Sequence, residues 1–408
     1  MRPVAITGIG VVSPLGVGAA AFFDALAAGR SGVRRLEAPR GASHVGACVD
    51  DFDAAGHFAP AQLRMLDRVS RFALAAAAEA IAQSRGALEG IDPARAGAFV
   101  GTGVGGAQSL DDSYRTLYAE GCDRLHPMSV LMAMSNAPAS WIGIEHGLRG
   151  PNLTFSTACS SSAVAIGEAA RRIAAGEADA MVAGGAEAPL TFGTLRAWDA
   201  LKTLAPEDPA DASASCKPFA RDRGGLVLGE GAAMVLLEPG ERARARGAAV
   251  IAEIVGYGLA TDCAHITRPS VEGQAHAMRL ALADAAMAPE AIGYVNAHGT
   301  GTRANDAVET AAIRAVFGAH AGRLPVSSTK SMHGHLLGAA GALELVAAVL
   351  AMRARVLPPT MHLVHPDPEC DLDYVPLRAR PVAALEAVMS SSFAFGGTNA
   401  VLVARSEG

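Results

Sequence analysis

Three features of the 408-residue chain predict an α/β fold with mostly parallel strands. Apolar strand-like runs end in glycine turns, Ala-rich helical stretches lie between them, and the alternation restarts near residue 248. The first run is Pro3-Val-Ala-Ile-Thr-Gly-Ile-Gly-Val-Val-Ser-Pro-Leu-Gly16, with a helix opening over 22–26. Its Gly8-x-Gly10 pair lacks the third glycine of a dinucleotide loop, and Pro14 interrupts the strand-to-helix step. Neither a nicotinamide nor a flavin cofactor is therefore expected.

Residues 31–60 read as irregular surface structure with short strands, 66–84 as a long helix, and 98–106 as a strand ending in glycines. Residues 110–146 alternate polar and helical stretches, with Trp141 and Ile142 on a packed face. A cysteine turn follows over 155–172, then a central strand over 178–187. Polar, Pro-containing 206–220 reads as an exposed loop, and 226–238 as two strands about a tight turn. The second half repeats the order: strand 250–258, helix 273–286, strand 292–298, helix 305–317, strand 326–329 and helix 338–353. Strand-like runs at 372–376 and 387–392 precede a Gly-Gly turn, and 401–403 closes the sheet.

Composition narrows the function classes. With 50% hydrophobic and 18% charged residues, the chain can bury a large core. A net charge of −6 without a long basic tract argues against nucleic-acid binding. Cys48, Cys122, Cys159, Cys216, Cys263 and Cys370 show neither CxxC nor metal-ligand spacing. With no signal-like segment at the start, free thiols in the cytoplasm are expected. The apolar stretch 336–352 is broken by Glu344 and falls short of the about 20 residues of a membrane span, so it reads as a buried helix.

Four polar segments follow strand-like runs. Cys159, in Phe155-Ser-Thr-Ala-Cys159-Ser, stands at or just before a helix start, where unpaired N–H groups lower a thiol's pKa; an inert buried cysteine fits the same stretch equally well. Asn296-Ala-His298-Gly-Thr300-Gly-Thr302 puts a histidine at a strand's C-terminal end and offers two hydroxyls to an amide-bearing ligand arm. In Ser327-Ser-Thr-Lys330-Ser-Met-His333-Gly-His335, the two imidazoles lack a third ligand for a metal and suit hydrogen-bond donation to an oxyanion or carbonyl. Lys330 can pair with a buried carboxylate such as Glu344 or Asp306. Phe393-Ala-Phe395-Gly-Gly397-Thr398-Asn399 can wall an apolar pocket and supply turn N–H groups to an oxyanion. A thiol facing two histidines suits a two-phase thioester reaction, acyl capture and then enolate attack, better than proteolysis.

From Val4 to Val403 the sequence resembles the β-ketoacyl-acyl carrier protein synthases of the type II elongation class, a branch of the thiolase-like superfamily. The resemblance rests on Thr157-Ala-Cys159-Ser, Asn296-Ala-His298-Gly-Thr-Gly-Thr302, Ser328-Thr-Lys330-Ser-Met-x-Gly-His335 and Phe395-Gly-Gly-Thr-Asn399. It implies a duplicated five-layered α-β-α-β-α fold, with a cysteine-bearing half over 1–248 and a histidine-bearing half over 249–408. It further implies Cys159 as acyl-accepting nucleophile, His298 and His335 as the pair serving malonyl decarboxylation, and Lys330 as their support. Asp306, Glu309 and Glu344 would form the surrounding ion network. Thr300 and Thr302 would hold a phosphopantetheine arm, the backbone amides of Cys159 and Phe395 the oxyanion. Phe395 would also act as a gate, and Val104 would line the acyl pocket. The implied partner is an acyl carrier protein, in a homodimer or a heterodimer with a chain-length-factor-like homologue; no cofactor or metal is implied. Gly301 and Asn305 depart from the housekeeping pattern, as does His333 in place of a common threonine. These features resemble aryl polyene and polyketide ketosynthases, and Cys159 marks the catalytic member of such a pair. A non-condensing structural subunit is the alternative from another class.

Overall fold

The computed structural model describes residues 2–37 and 44–407. Ten strands run through the main sheet: β1 (Val4–Ser13), β2 (Ala96–Gly101), β3 (Asn152–Phe155), β4 (Ala180–Glu187), β5 (Gly231–Pro239), β6 (Ala252–Thr261), β7 (Tyr294–Asn296), β8 (Val326–Ser327), β9 (Ala387–Phe393) and β10 (Thr398–Arg405). Their order is 8-7-9-10-6-1-5-4-2-3, with the short Gly16–Val17 strand folded onto β1. The first half reads 3-2-4-5-1 from the edge and the second 8-7-9-10-6, the same order with five added to each strand. The two halves join at the antiparallel β1–β6 pair, Val4 opposite Ile254.

The expectation of mostly parallel strands is corrected. Pairing is parallel only toward the two ends, β3–β2–β4 and β8–β7–β9. The middle pairs are antiparallel. Strands covered on both faces read as unbroken apolar runs in either direction, so the sequence pattern carries no direction. β10 is also interior, between β9 and β6, instead of closing the sheet. Residues 372–376 form no strand, although Asp373 bridges to Pro325.

Five layers follow from what each helix covers. The helices Ser161–Ala174 and Ala340–Ala354 pack on each other and on strands of both halves, forming the central layer. Arg68–Gln83 and Ala137–His146 cover the first half outside, Val271–Ala285 and Arg303–Phe317 the second. Side-chain caps start three of these helices: Asp67 accepts from Val69 N–H, Ser270 from Gly273 N–H, and Thr302 from Asn305 N–H. The stretch Leu337–Ala354 is apolar enough to cross a membrane, yet 83% of it is buried inside the protein, so it serves as core. Residues 206–220 are less exposed than expected: Cys216, Phe219 and Ala220 are buried, and Phe219 stacks on Tyr374 with ring centroids 3.9 Å apart. Part of the 31–60 segment, residues 38–43, lies outside the described residues. Its flanks pair as Val33–Leu36 and His44–Ala47, and the latter pairs with Leu228–Gly229.

Gly8 and Gly10 have a structural use. A Cβ at Gly10 would fall 1.8 Å from the Ala76 carbonyl oxygen, and one at Gly8 1.8 Å from that of Ala80. The pair lets the Arg68–Gln83 helix lie directly on β1. Gly10→Ala should therefore destabilise the protein by about 1–3 kcal/mol, read as a lower midpoint in thermal or urea unfolding.

Candidate active site

Cys159 follows β3 through a tight turn. Ala158 holds a left-handed φ of 51°, a conformation that costs a non-glycine residue energy, and a short 3-10 turn leads into the Ser161–Ala174 helix. The serines around the cysteine brace this turn. Ser161 Oγ accepts from Thr157 N–H at 2.9 Å and donates to Ala158 O at 2.6 Å, while Ser160 Oγ donates to Thr157 O at 2.9 Å. The thiol thus stands at a helix start, as the sequence suggests, but its ionisation runs the other way. Burial pushes Cys159 up to about 12, against the charge of Lys330 and the N–H of Phe395 that donates to the sulfur. The sulfur rests protonated.

The two histidines close around it. Cys159 Sγ and one ring nitrogen each of His298 and His335 lie within 4.8 Å of one another. The imidazoles meet edge to face, with centroids 5.3 Å apart. His335 Nδ1 accepts the Leu337 N–H at 3.1 Å, which places the proton of the neutral ring on Nε2. That Nε2 is buried and has no protein partner among the described residues. His298 Nδ1 lies 3.4 Å from Lys330 Nζ, which also donates to His298 O at 2.6 Å and to Glu344. An ammonium's three hydrogens match these three acceptors, so His298 too carries its proton on Nε2. Burial holds both imidazoles well below the usual range, helped by the Lys330 charge. The cleft therefore faces two neutral N–H donors. His333 is turned away, bonded to Thr329 Oγ1 and Gly334 O.

The expected carboxylates stand behind this pair. Glu309 accepts the N–H groups of His298 and Gly299 at 2.7 and 2.8 Å, Asp306 that of Phe219 at 2.8 Å. Burial raises Glu309 and Glu344 to about 7 and Asp306 to about 6. Sequence reasoning missed two charged residues. Glu187, at the end of β4, accepts from Gly103, Val104 and Gly338 N–H and from Thr102 Oγ1, binding the loop after β2 to the turn after His335. Arg223 is buried and donates to Asp367 at 2.5 Å and to Thr302 O at 3.2 Å, holding the loop of Thr300 and Thr302. An acidic residue closing the apolar run 180–186 was the available signal for Glu187; no comparable pattern marks Arg223.

A cleft of about 550 Å³ opens onto these groups, lined by Cys159, His298, His335, Thr300, Thr302 and Phe395, with Trp198 beside them. Phe395 stacks on Trp198, with centroids 5.9 Å apart and planes 22° from parallel. Thr300 and Thr302 share a hydrogen bond of 2.9 Å. Val104 does not line this cleft; it is 42% exposed on the loop held by Glu187. The thiol and two imidazoles are also a ligand set for a soft divalent ion, which the Lys330 ammonium behind His298 would oppose.

A thiol at about 12 gains thiolate tenfold with each pH unit below that value, so alkylation of Cys159 should rise across about pH 7–10 without a plateau. Lys330→Met removes a charge that lowers this pKa and should slow alkylation about tenfold at fixed pH. Peptide mass mapping separates Cys159 from the exposed Cys122 and Cys263.

Residues 1–243 match the beta-ketoacyl synthase N-terminal domain and 251–364 its C-terminal domain. Nodulation protein E of Rhizobium leguminosarum bv. trifolii is 44% identical, over 99% of this chain and 99% of its own. 3-oxoacyl-[acyl-carrier-protein] synthase 2 of Coxiella burnetii is also 44% identical, over 98% of each. Among solved structures, the ishigamide ketosynthase/chain length factor superposes with a TM-score of 0.93 at 34% identity, covering 100% of both chains. A type II polyketide ketosynthase, AntDE, bound to the hexaketide and in complex with its acyl carrier protein AntF, gives 0.91 at 30% identity, again over 100% of both.

Proposed function

The chain belongs to the β-ketoacyl synthase family, and from that premise we propose that it extends acyl chains delivered by an acyl carrier protein in type II fatty acid or polyene biosynthesis. It is a condensing enzyme. The observation that carries the reading is the convergence of one thiol and two neutral imidazole N–H donors within 4.8 Å. A non-condensing partner subunit has no use for these three groups in one place.

In the first phase the carrier arm lies along Thr300 and Thr302, and the Cys159 sulfur attacks the acyl carbonyl. The backbone N–H groups of Cys159 and Phe395 hold the tetrahedral oxygen. The carbon–sulfur bond to the carrier breaks, and its thiolate leaves with the proton that Cys159 gives up. In the second phase the thioester oxygen of a malonyl carrier accepts from Nε2–H of His298 and His335. The bond to the malonyl carboxylate breaks, CO2 departs, and its electron pair forms the enolate that both donors stabilise. The enolate carbon attacks the acyl group, the bond to Cys159 breaks, and the sulfur regains a proton from water. Lys330, paired with Glu344, keeps His298 neutral and oriented, while Glu309 holds the His298 N–H and Asp306 braces the loop behind it through Phe219 N–H. Phe395, resting on Trp198, gates the cleft.

A second subunit is part of this proposal. β3 is the edge of the main sheet, paired on one side only, and Leu153 on it is 47% exposed. The helix packed against β3 exposes Ile144, and the segment before it exposes Val130, Leu131 and Met134. An open edge with apolar flanks fits a copy of this chain or a chain-length-factor-like homologue. Val104, on the exposed loop, would complete the acyl pocket there. Free thiols at all six cysteines and carrier-borne substrates suit the cytoplasm.

Intact mass measurement with panels of acyl carriers tests the chemistry. The wild type should gain one acyl group, and Cys159→Ala should gain none and form no extended product. Full product formation by Cys159→Ala would overturn the nucleophile assignment. Leu153→Asp should convert a dimer to monomers in light scattering, because a charge on a sheet edge blocks pairing.

A further inference from the structure

His333 is the one imidazole of the Lys330–His335 segment that faces away from the cleft, and it is fully buried. Its two ring nitrogens have different partners. Nδ1 lies 2.8 Å from Gly334 O, and Nε2 lies 2.9 Å from Thr329 Oγ1. A carbonyl only accepts, so Nδ1 carries the proton and Nε2 receives the Thr329 hydroxyl hydrogen. Thr329 Oγ1 in turn accepts from Asn296 Nδ2 at 3.3 Å. Asn296 ends β7, two residues before His298. The relay thus runs in one direction, from Asn296 through Thr329 and His333 to the carbonyl of the peptide that joins Gly334 to His335.

That peptide has two polar edges to hold. Gly334 sits at φ 69° and ψ −169°, a conformation in the glycine region that leaves the carbonyl direction soft. One edge of this peptide is already held, since the His335 N–H donates to Val227 O at 2.7 Å, and the next peptide is held where the His335 carbonyl accepts from Gly229 N–H at 2.9 Å. The Gly334 carbonyl is the remaining handle. We propose that His333 is a positioning residue for condensation, which locks the Gly334–His335 peptide to the strand carrying His298 and so sets the two Nε2–H donors in register. Burial, with the Lys330 charge, lowers His333 to about 3, so the ring stays neutral and its tautomer is kept at working pH. This inference rests on the reading of His298 and His335 as the pair that serves decarboxylation.

The test separates the two partial reactions: acyl transfer to Cys159, followed by intact mass, and CO2 release from a malonyl carrier. His333→Leu removes both bonds, His333→Asn keeps a donor near Nδ1, and His333→Gln keeps reach toward Thr329 only. For His333→Leu we expect kcat for decarboxylation to fall on the order of tenfold to a hundredfold, as for a donor displaced by a fraction of an ångström, with KM and acyl loading within about twofold. His333→Asn should recover most of the loss and His333→Gln little of it. Parallel loss of both partial reactions with the thermal midpoint, no loss, or equal rates for the Asn and Gln variants would overturn the proposal. If His333→Leu does not fold, the Asn–Gln comparison decides. His335→Ala is the control: decarboxylation retained there would overturn the pair assignment, whereas its loss there with unaffected His333 variants would overturn only the role given to His333.

Discussion

The site depends on one buried cation. Lys330 is 1% exposed, and an ammonium taken out of water is tolerated only where each hydrogen finds an acceptor. Its acceptors are Glu344, the His298 carbonyl and His298 Nδ1. Glu344 stands in the buried Ala340–Ala354 helix of the central layer, so Lys330, which follows β8, ties that helix to the His298 segment after β7. The same contact decides which nitrogen of His298 is protonated. Stability and catalysis are therefore linked at Lys330, since removing it would leave a buried carboxylate unpaired and let the imidazole choose its tautomer.

The duplication explains why the catalytic groups come from four places in the chain. Cys159 follows β3 and His335 follows β8, the strand at the equivalent place in the other half. Each leads into one of the two central helices, Ser161–Ala174 or Ala340–Ala354. His298 follows β7, whose counterpart β2 leads to the Thr102–Gly105 loop, and Phe395 follows β9, whose counterpart β4 ends at Glu187. One pair of equivalent strand ends thus carries nucleophile and donor. At the other two positions the second half carries His298 and Phe395, while the first carries Glu187 and the loop it binds. Glue and chemistry occupy matching positions across the pseudo-symmetric core, where strand ends gather polar groups.

Much of this was legible because function breaks the apolar pattern. Cys159, His298, Lys330 and His335 interrupt runs that otherwise read as strands or turns, and Glu344 interrupts an apolar helix. The helix and strand order was readable for the same reason, from period and glycine punctuation. What stayed hidden lies in backbone or direction. The Leu337 N–H that sets the His335 tautomer has no side-chain signature. Arg223 looks like any loop arginine until Thr302 O and Asp367 surround it. Strand direction left no trace in the apolar runs. A helix start beside the thiol is visible in sequence, whereas the depth of burial that opposes its effect on Cys159 is not.

That depth gives the site its order of events. Neither imidazole accepts a proton from Cys159, because each already carries one on the nitrogen facing the cleft. With its thiol raised to about 12, the resting site is poorly reactive toward stray electrophiles. In the reaction proposed above, a carrier thioester would change the balance by bringing its own proton acceptor, the departing thiolate, together with a carbonyl oxygen for the Phe395 N–H to hold. In that proposal Phe395 would exchange its hydrogen bond to the sulfur for one to the oxyanion, so the donor that steadies the free thiol would serve the reaction. Once the sulfur is acylated it no longer ionises, and the two Nε2–H donors are left for the second thioester. The buried thiol and the neutral histidines are thus one device: each stays inert until a thioester supplies what the other cannot.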